Sequence, residues 1–139
     1  MIVLDTNVVS ELMRTAPSEA VGRWVADQAA DQLFTTTITQ AEILYGIALL
    51  PEGRRRIGLT RAAEQMFAED FAGRVVVFDA AAAGAFATIA ADRRRSGRPM
   101  AAFDAQIAAI AATHGLALAT RNIADFDGCG LTLINPWTD

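Results

Sequence analysis

The sequence predicts an α/β domain in which a parallel sheet of about five strands is flanked by helices. Short apolar runs, each bounded by turn-forming residues, have the length and composition of buried strands. Longer segments with apolar residues at helical spacing separate these runs along the chain. The chain has 139 residues, 53 % hydrophobic and 20 % charged, which fits one compact domain over residues 1–139.

The candidate strands are the most apolar short segments of the chain. They cover residues 2–4, 33–38, 74–78, 116–119 and 131–134. Because strand and helix alternate, we expect the strands to be parallel and joined by right-handed crossovers. Their carboxyl ends would then meet at one edge of the sheet, where open α/β sheets bind ligands.

The segments between the strands carry apolar residues three or four positions apart, which predicts helices. Examples are Ile43, Ile47 and Leu50; Phe86, Ile89 and Ala90; and Phe103, Ile107, Ile110 and Ala111. The last of these helices should stop at Gly115, a typical C-terminal cap. Residues 51–53 and 96–99 contain Pro and Gly and are predicted to be loops within the domain.

The charge pattern is acidic overall but includes two arginine clusters. The net charge is −4, all twelve basic residues are Arg, and a net negative charge disfavours general nucleic-acid binding. Residues 54–56 with Arg61, and residues 93–95 with Arg98, are candidate RNA contacts because Arg pairs bidentately with phosphate. The alternative is that each is an ordinary solvated helix residue.

Several function classes are disfavoured by what the chain contains. No apolar run reaches membrane-spanning length free of charge, and the first residues start a strand without the pattern of a secretory signal, so we expect a cytoplasmic protein with no membrane contact. Cys129 is the single cysteine and indicates a buried or incidental thiol. His114 stands alone at a predicted helix end, which favours capping or partial burial.

Four acidic residues follow a predicted strand or lie near the start of a predicted helix: Asp5, Glu42, Asp104 and Asp125. Acids far apart in sequence can converge when the ends of parallel strands meet. Carboxylate oxygens suit hard divalent cations, and Mg²⁺ needs only a few of them. Asp5 and Asp104 are the primary candidate ligands, with Glu42 beside them and Asp125 as a fourth acid.

Each acid also has a structural interpretation. Asp5 is placed to cap the helix that follows it, as Thr6 or Asn7 would be. Glu42 follows Thr39 at capping-box spacing, which makes capping and metal binding equally compatible with the sequence. Asp104 lies near a helix start, where the macrodipole favours an acid. Its neighbours Phe103 and Ile107 are predicted to face the core, which favours an inward Asp104.

Taken in order, these motifs resemble the PIN-domain nucleases, and most closely the VapC-type toxins, including the FitB-like branch. The resemblance runs from Ile2 to the segment Asn-Pro-Trp at residues 135–137. It implies a Mg²⁺- or Mn²⁺-dependent endoribonuclease that cleaves RNA with metal-activated water. It also implies that the catalytic and metal-binding residues are Asp5, Glu42, Asp104 and Asp125.

The same resemblance implies partners. VapC-type toxins are held inactive by a small VapB-like antitoxin, form homodimers, and meet operator DNA only through the antitoxin. Apolar residues available for such an interface are Leu12, Met13, Trp24, Leu44, Tyr45 and Ile47, although a stripe such as Leu44, Ile47 and Ala48 is more often part of a core. A catalytically weak PIN-fold module for protein interaction or RNA processing is the alternative function.

The fourth acidic position departs from part of the family. Where some relatives carry an acid directly after Thr-Arg, this chain has Asn122. Asp125 matches the acid of the Thr-Arg-Asn-x-x-Asp-Phe form, and Asp127 is predicted to be a loop acid. Thr120 and Asn122 are candidate hydrogen-bond partners of a ligand water or a phosphate.

Two other folds with an acid after the first strand fit poorly. Haloacid-dehalogenase-type phosphatases need a second Asp two positions on, where this chain has Asn7. Response-regulator receiver domains need a Lys near the last strand, and this chain has no Lys.

Overall fold

The computed structural model describes residues 1–139 and contains a five-stranded sheet in the order β3-β2-β1-β4-β5. All four neighbouring pairs are parallel, which confirms the predicted α/β class. Every strand lies within its predicted run, and all but the first are shorter than predicted. The strands are β1 (Ile2–Leu4), β2 (Leu33–Thr36), β3 (Val75–Val76), β4 (Ala117–Ala119) and β5 (Leu133–Ile134).

Seven α-helices connect or flank these strands. They are α1 (Thr6–Leu12), α2 (Glu19–Ala26), α3 (Thr37–Ala48), α4 (Arg54–Gln65), α5 (Ala80–Arg95), α6 (Ala102–Thr113) and α7 (Ile123–Phe126). A π-helical turn, Met66–Asp70, continues α4, and Ala30–Gln32 forms a 3₁₀ turn before β2. None of these helices combines the length and apolar character needed to cross a bilayer.

The central strand β1 contributes to cores on both faces of the sheet. Val3 belongs to one cluster of buried apolar residues and Leu4 to the other, since successive strand residues point to opposite faces. Both side chains are completely buried. Burial on both faces explains why the strands are uniformly apolar in sequence instead of alternating.

The junction between β2 and α3 differs from the prediction. The expected strand over residues 33–38 ends at Thr36, whose Oγ1 accepts a hydrogen bond from the Thr39 backbone N–H at 3.0 Å. Thr36 is therefore the N-cap of α3, and Thr39 lies inside the helix. The prediction that Thr39 and Glu42 form a capping box is wrong, because the helix begins three residues earlier than that pattern requires.

The end of α6 agrees with the prediction. Gly115 has φ +65°, a left-handed conformation that other residues rarely adopt. The Leu116 N–H then reaches back to the Ala111 carbonyl at 2.9 Å and closes the helix. His114, the residue before this glycine, is exposed.

Arg93 is a structural residue and not the RNA contact that its cluster suggested. Its side chain is only 8 % exposed. Nε donates to the Arg98 carbonyl at 2.7 Å, and Nη1 donates to the carbonyls of Asp125 and Asp127 at 3.0 and 2.9 Å. Arg93 thereby ties the end of α5 to the segment that carries α7. The neighbouring Arg94 is exposed.

The residues predicted to lie at an interface are in part buried and in part exposed. Leu12, Met13 and Trp24 are partly buried against a core cluster. Ile47 is buried in that cluster, which agrees with the core alternative and not with the interface one. Leu44 and Tyr45 are exposed and stay candidates. Cys129 is half-buried, with Sγ 3.5 Å from the Met100 sulfur, in agreement with an incidental thiol. Asp127 is exposed and pairs with Arg98 at 3.5 Å, as expected of a loop acid.

We predict that Arg93→Met lowers the free energy of unfolding by about 2–4 kcal/mol, because it removes the hydrogen bonds of a buried guanidinium to three backbone carbonyls. Urea denaturation followed by circular dichroism measures this change. Arg95→Ala is the control. Arg95 forms only an exposed ion pair with Asp92, so its loss should cost less than about 1 kcal/mol. Equal effects of the two changes would show that Arg93 has no special structural role.

Candidate active site

The Asp5 carboxylate lies at the carboxyl end of the central strand and is 3 % exposed. Oδ1 accepts from the Thr6 backbone N–H at 2.8 Å. Oδ2 accepts from Thr120 Oγ1 at 2.8 Å and from Asn7 Nδ2 at 3.2 Å. A carboxylate has about four acceptor positions, so these bonds leave one free on Oδ1. Asp5 caps α1 and still has an oxygen available to a ligand.

The pKa of Asp5 reflects opposing effects. Burial raises the pKa of this carboxyl above its ordinary value, and the negative charge of Glu42 adds to the rise. The hydrogen bonds from Thr120, Thr6 and Asn7 lower the pKa but do not offset the loss of hydration. A nearby cation would reverse the balance, because it favours the ionised form.

Glu42 is joined to Asp5 through Thr6. The Thr6 hydroxyl donates to Glu42 Oε1 at 2.8 Å and lies 3.0 Å from the Thr39 hydroxyl. Since Thr6 has one hydroxyl proton and donates it to Glu42, Thr39 must donate to Thr6. Thr39 is completely buried, so this chain of hydroxyls fixes the Glu42 carboxylate from the protein interior. Glu42 is therefore bonded to the network around Asp5 and does not cap α3.

Asp104 lies in the first turn of α6 and is half-buried. Burial, together with the negative charges of Asp5 and Asp125, raises its pKa from 3.8 to about 6. The neighbouring Ile107 is buried as predicted, whereas Phe103 is 50 % exposed, so the prediction that Phe103 faces the core is wrong. Phe103 projects into solvent from the first turn of the same helix.

Asp125 is exposed on α7, and its side chain makes no hydrogen bond within the protein. Its charge acts on Asp104, and its backbone carbonyl is held by Arg93. Asn122 precedes α7, and its backbone N–H donates to Thr120 Oγ1 at 3.1 Å. The structure thus brings all four predicted acids into one electrostatic cluster, with Asp125 at its solvent side.

The Thr120 hydroxyl is fully used inside the protein. It donates to Asp5 and accepts from Asn7 Nδ2 and from the Asn122 backbone N–H. One proton and two acceptor positions are all that a hydroxyl offers. Thr120 therefore cannot also bind a ligand water or a phosphate through this group, and the prediction that it does is wrong.

The donor set fits a hard divalent cation. The cluster offers carboxylate oxygens with neighbouring hydroxyl and amide groups, and no histidine or thiol ligand. No three acidic, histidine or cysteine side chains are close enough together to hold one ion by themselves. Mg²⁺ commonly takes one or two carboxylates and keeps its other ligands as water, so the separation of these acids is compatible with such an ion.

A cleft of about 750 Å³ adjoins the acidic cluster at Thr6 and Glu42. Its other walls include Arg14 and Arg55, so its rim carries positive charge. Arg14 pairs with the buried Glu11 at 3.1 Å, and Arg55 forms no ion pair. The cluster is therefore accessible from an open, partly cationic groove.

The sequence predicts no site role for Thr6, Asn7, Thr39 or Arg121. Thr6 and Asn7 directly follow Asp5, and polar side chains one and two positions after a buried acid are a signal for its hydrogen-bond partners. Thr39 gave no such signal, because its pattern with Glu42 favoured a helix cap. Arg121 lies outside both arginine clusters, and its backbone N–H donates to Asn7 Oδ1 at 3.1 Å.

Comparison with known proteins assigns the family. A family model for the PIN domain matches residues 2–127. The chain is 41 % identical over 137 residues to the VapC ribonuclease Y4jK of Sinorhizobium fredii, covering 99 % of this chain and 98 % of that protein. It is 38 % identical over 139 residues to the toxin FitB of Neisseria gonorrhoeae, covering 100 % of both. The chain belongs to the PIN-domain family.

Solved structures agree with this assignment. The crystal structure of FitAcB from Neisseria gonorrhoeae contains a chain with a TM-score of 0.93 and 37 % identity, covering 100 % of both chains. A structure of FitAB bound to the IR36 DNA fragment matches equally well, with a TM-score of 0.93 and 37 % identity over 100 % of this chain and 97 % of that one.

The raised pKa of Asp104 predicts how the stability of the metal-free protein depends on pH. The native state holds this proton up to about pH 6, whereas the unfolded state releases it near 3.8. The native state therefore binds more protons in that window, and the free energy of unfolding falls as pH rises through it. Urea denaturation in EDTA at several pH values measures the slope. Asp104→Asn should remove this part of the slope, and an unchanged slope would contradict the assignment.

Proposed function

We propose that this PIN-domain protein is the ribonuclease toxin of a toxin–antitoxin pair and hydrolyses RNA phosphodiester bonds with Mg²⁺ or Mn²⁺. The observation that carries the proposal is the convergence of Asp5, Glu42, Asp104 and Asp125 at the carboxyl end of the central strand. Whole-length similarity to a VapC ribonuclease and to the toxin FitB supports the choice of reaction and role.

The four acids have different parts in this proposal. Asp5 is the most firmly fixed ligand, because three internal donors orient its carboxylate and leave one acceptor position on Oδ1. Asp104 is the second ligand, and Glu42, held by Thr6, is a ligand or orients a bound water. Asp125 at the solvent side would hold a second ion or orient water.

When bound, one or two such ions supply charge neutralisation on the phosphate and a water of lowered pKa. The protein contributes fixed orientation. The hydroxyl chain from Thr39 through Thr6 keeps the Glu42 carboxylate in place. Because Asp104 is half-buried, bulk water competes less with its carboxylate for a bound ion. No Ser, Cys or His nucleophile is required by this arrangement.

The relatives suggest the partners. FitB is solved in the assemblies FitAcB and FitAB, the latter bound to DNA. We infer that this chain likewise binds a small cognate antitoxin, forms a homodimer, and meets operator DNA through the antitoxin. The cleft of about 750 Å³ beside Glu42 is large enough to admit a peptide segment or nucleotides. Such a pair would work in the cytoplasm, where its RNA substrate is found.

The decisive experiment is RNA cleavage by the purified chain with Mg²⁺ or Mn²⁺ and with EDTA. We expect cleavage only with the ion, and a rise in melting temperature when the ion binds the native state. Asp104→Asn should lower cleavage more than about a hundredfold and keep or raise stability at pH 7, because it removes a poorly hydrated charge. Asp31→Asn, a change at an exposed acid, is the matched control. Absence of cleavage would favour a catalytically weak interaction module, and cleavage in EDTA would contradict the metal requirement.

The variant Glu42→Gln distinguishes a role of Glu42 in cleavage from a purely structural role. Glutamine keeps a carbonyl oxygen for the Thr6 hydroxyl, so the melting temperature without metal should change little. The lost charge should weaken metal binding or cut the cleavage rate by about tenfold or more. Glu64→Gln, the same change at an exposed position of α4, should leave both unchanged. Near-normal cleavage and metal dependence in Glu42→Gln would return Glu42 to a purely structural role.

A further inference from the structure

Arg121 stands at the edge of the acidic cluster and has no acidic partner. Its side chain is exposed, and the three ion pairs of the structure involve other arginines. The hydroxyl of the preceding residue, Thr120, donates to Asp5. The backbone N–H of Arg121 donates to Asn7 Oδ1 at 3.1 Å. The backbone at Arg121 is therefore fixed to the same network that fixes the Asp5 carboxylate.

The guanidinium of Arg121 is also oriented. Its Cζ lies 5.0 Å from the ring centroid of Trp137, within the range of a cation–π contact. Such a contact holds the guanidinium without neutralising its charge, in contrast to an ion pair. Arg121 thus remains able to pair with an anion and has lost part of its conformational freedom in advance.

Trp137 is itself held in place. Its backbone N–H donates to Asn135 Oδ1 at 2.9 Å, and its ring packs against a core cluster. The two residues come from the ends of adjacent strands, since Thr120 N–H donates to the Ile134 carbonyl at 2.9 Å where β4 and β5 end. The Arg121–Trp137 pair is thus part of the sheet edge that carries Asp5.

We propose that Arg121, oriented by Trp137, binds an RNA phosphate next to the one that is cleaved. This inference rests on the proposed ribonuclease function and assigns a binding role to a residue outside the acidic cluster. The acids repel the RNA backbone. An oriented cation whose backbone is bonded to the network around Asp5 offsets that repulsion without competing for the divalent ion. Arg121 is the binding residue, and Trp137 is a positioning residue.

The test uses steady-state cleavage of a fluorescein-labelled single-stranded RNA with Mg²⁺ or Mn²⁺. Arg121→Gln should raise KM roughly tenfold or more with little change in kcat, because the lost contact binds substrate and transition state alike. The slope of log(kcat/KM) against log salt concentration should fall in magnitude by about 0.7, the value for one phosphate contact on a single strand. Arg121→Lys should recover part of the loss.

The role of Trp137 is tested by a measurement that a change in stability alone would not alter, the KM of single and double variants. Trp137→Leu should raise KM by about threefold, as expected for loss of an exposed cation–π contact, and Trp137→Phe should retain most of the effect of tryptophan. In the Arg121→Gln background, Trp137→Leu should change KM no further. An equal effect of Trp137→Leu with and without Arg121 would mean that Trp137 acts independently of Arg121 and does not position it.

The controls separate this proposal from the function on which it rests. The metal-induced rise in melting temperature should be the same in Arg121→Gln as in the wild type, since the acids are intact. Arg23→Gln removes another exposed arginine without an ion pair and should leave KM unchanged. An active wild type with unaltered KM and salt slope in Arg121→Gln overturns the phosphate contact alone.

If the wild type does not cleave RNA, fluorescence anisotropy with the same oligonucleotide decides the matter. RNA binding that Arg121→Gln weakens would retain the phosphate contact and discard the ribonuclease. Absence of both cleavage and binding would overturn both proposals.

Discussion

The site depends on keeping one carboxylate, that of Asp5, buried at the end of the central strand. A buried carboxylate is costly unless donors surround it, and here the donors come from the start of α1 and from the end of β4. The same hydrogen bonds determine where α1 begins and how β1 and β4 end side by side. Through Asn7 and Thr120, the network extends to the backbone at Arg121 and Asn122. The same set of hydrogen bonds thus determines the geometry of the sheet edge and the geometry of the site.

A second constraint is the mutual repulsion of the acids. Asp5 is affected by the charge of Glu42, and Asp104 by the charges of Asp5 and Asp125. This repulsion adds to the rise in the pKa values of Asp5 and Asp104 that burial causes, and it stores an unfavourable energy. A divalent ion would relieve that energy on binding, so the repulsion that weakens the metal-free fold would add to the affinity for the ion. The Thr6 hydroxyl holds Glu42, and Arg93 holds the Asp125 carbonyl. These hydrogen bonds keep the acids from moving apart.

The sequence predicted the strands and the acids because both leave local signals, short apolar runs and acids at strand ends. Boundaries were less predictable. Thr36, Thr37 and Thr39 all suit the start of a helix, and only the packed structure selects Thr36. Arg93 and Arg94 are neighbours in one run, yet one is buried and the other solvated, because carbonyl groups distant in sequence converge on Arg93. The pairing of Arg121 with Trp137 likewise depends on which strands lie side by side, which local sequence does not encode.

The net charge of −4 therefore says little about whether this chain binds RNA. What matters is where the uncompensated charges lie. In the proposed mechanism the acids of the cluster would act on the scissile phosphate through a divalent ion, and a bound ion would offset their charge locally. Among the arginines, Arg93 donates its hydrogen bonds to backbone carbonyls. Three others, Arg14, Arg95 and Arg98, form ion pairs with neighbouring acids. Arg55 in the cleft and Arg121 at the sheet edge keep their charge beside the cluster. An acidic protein can present a cationic approach to its site when its arginines are divided in this way between structure and surface.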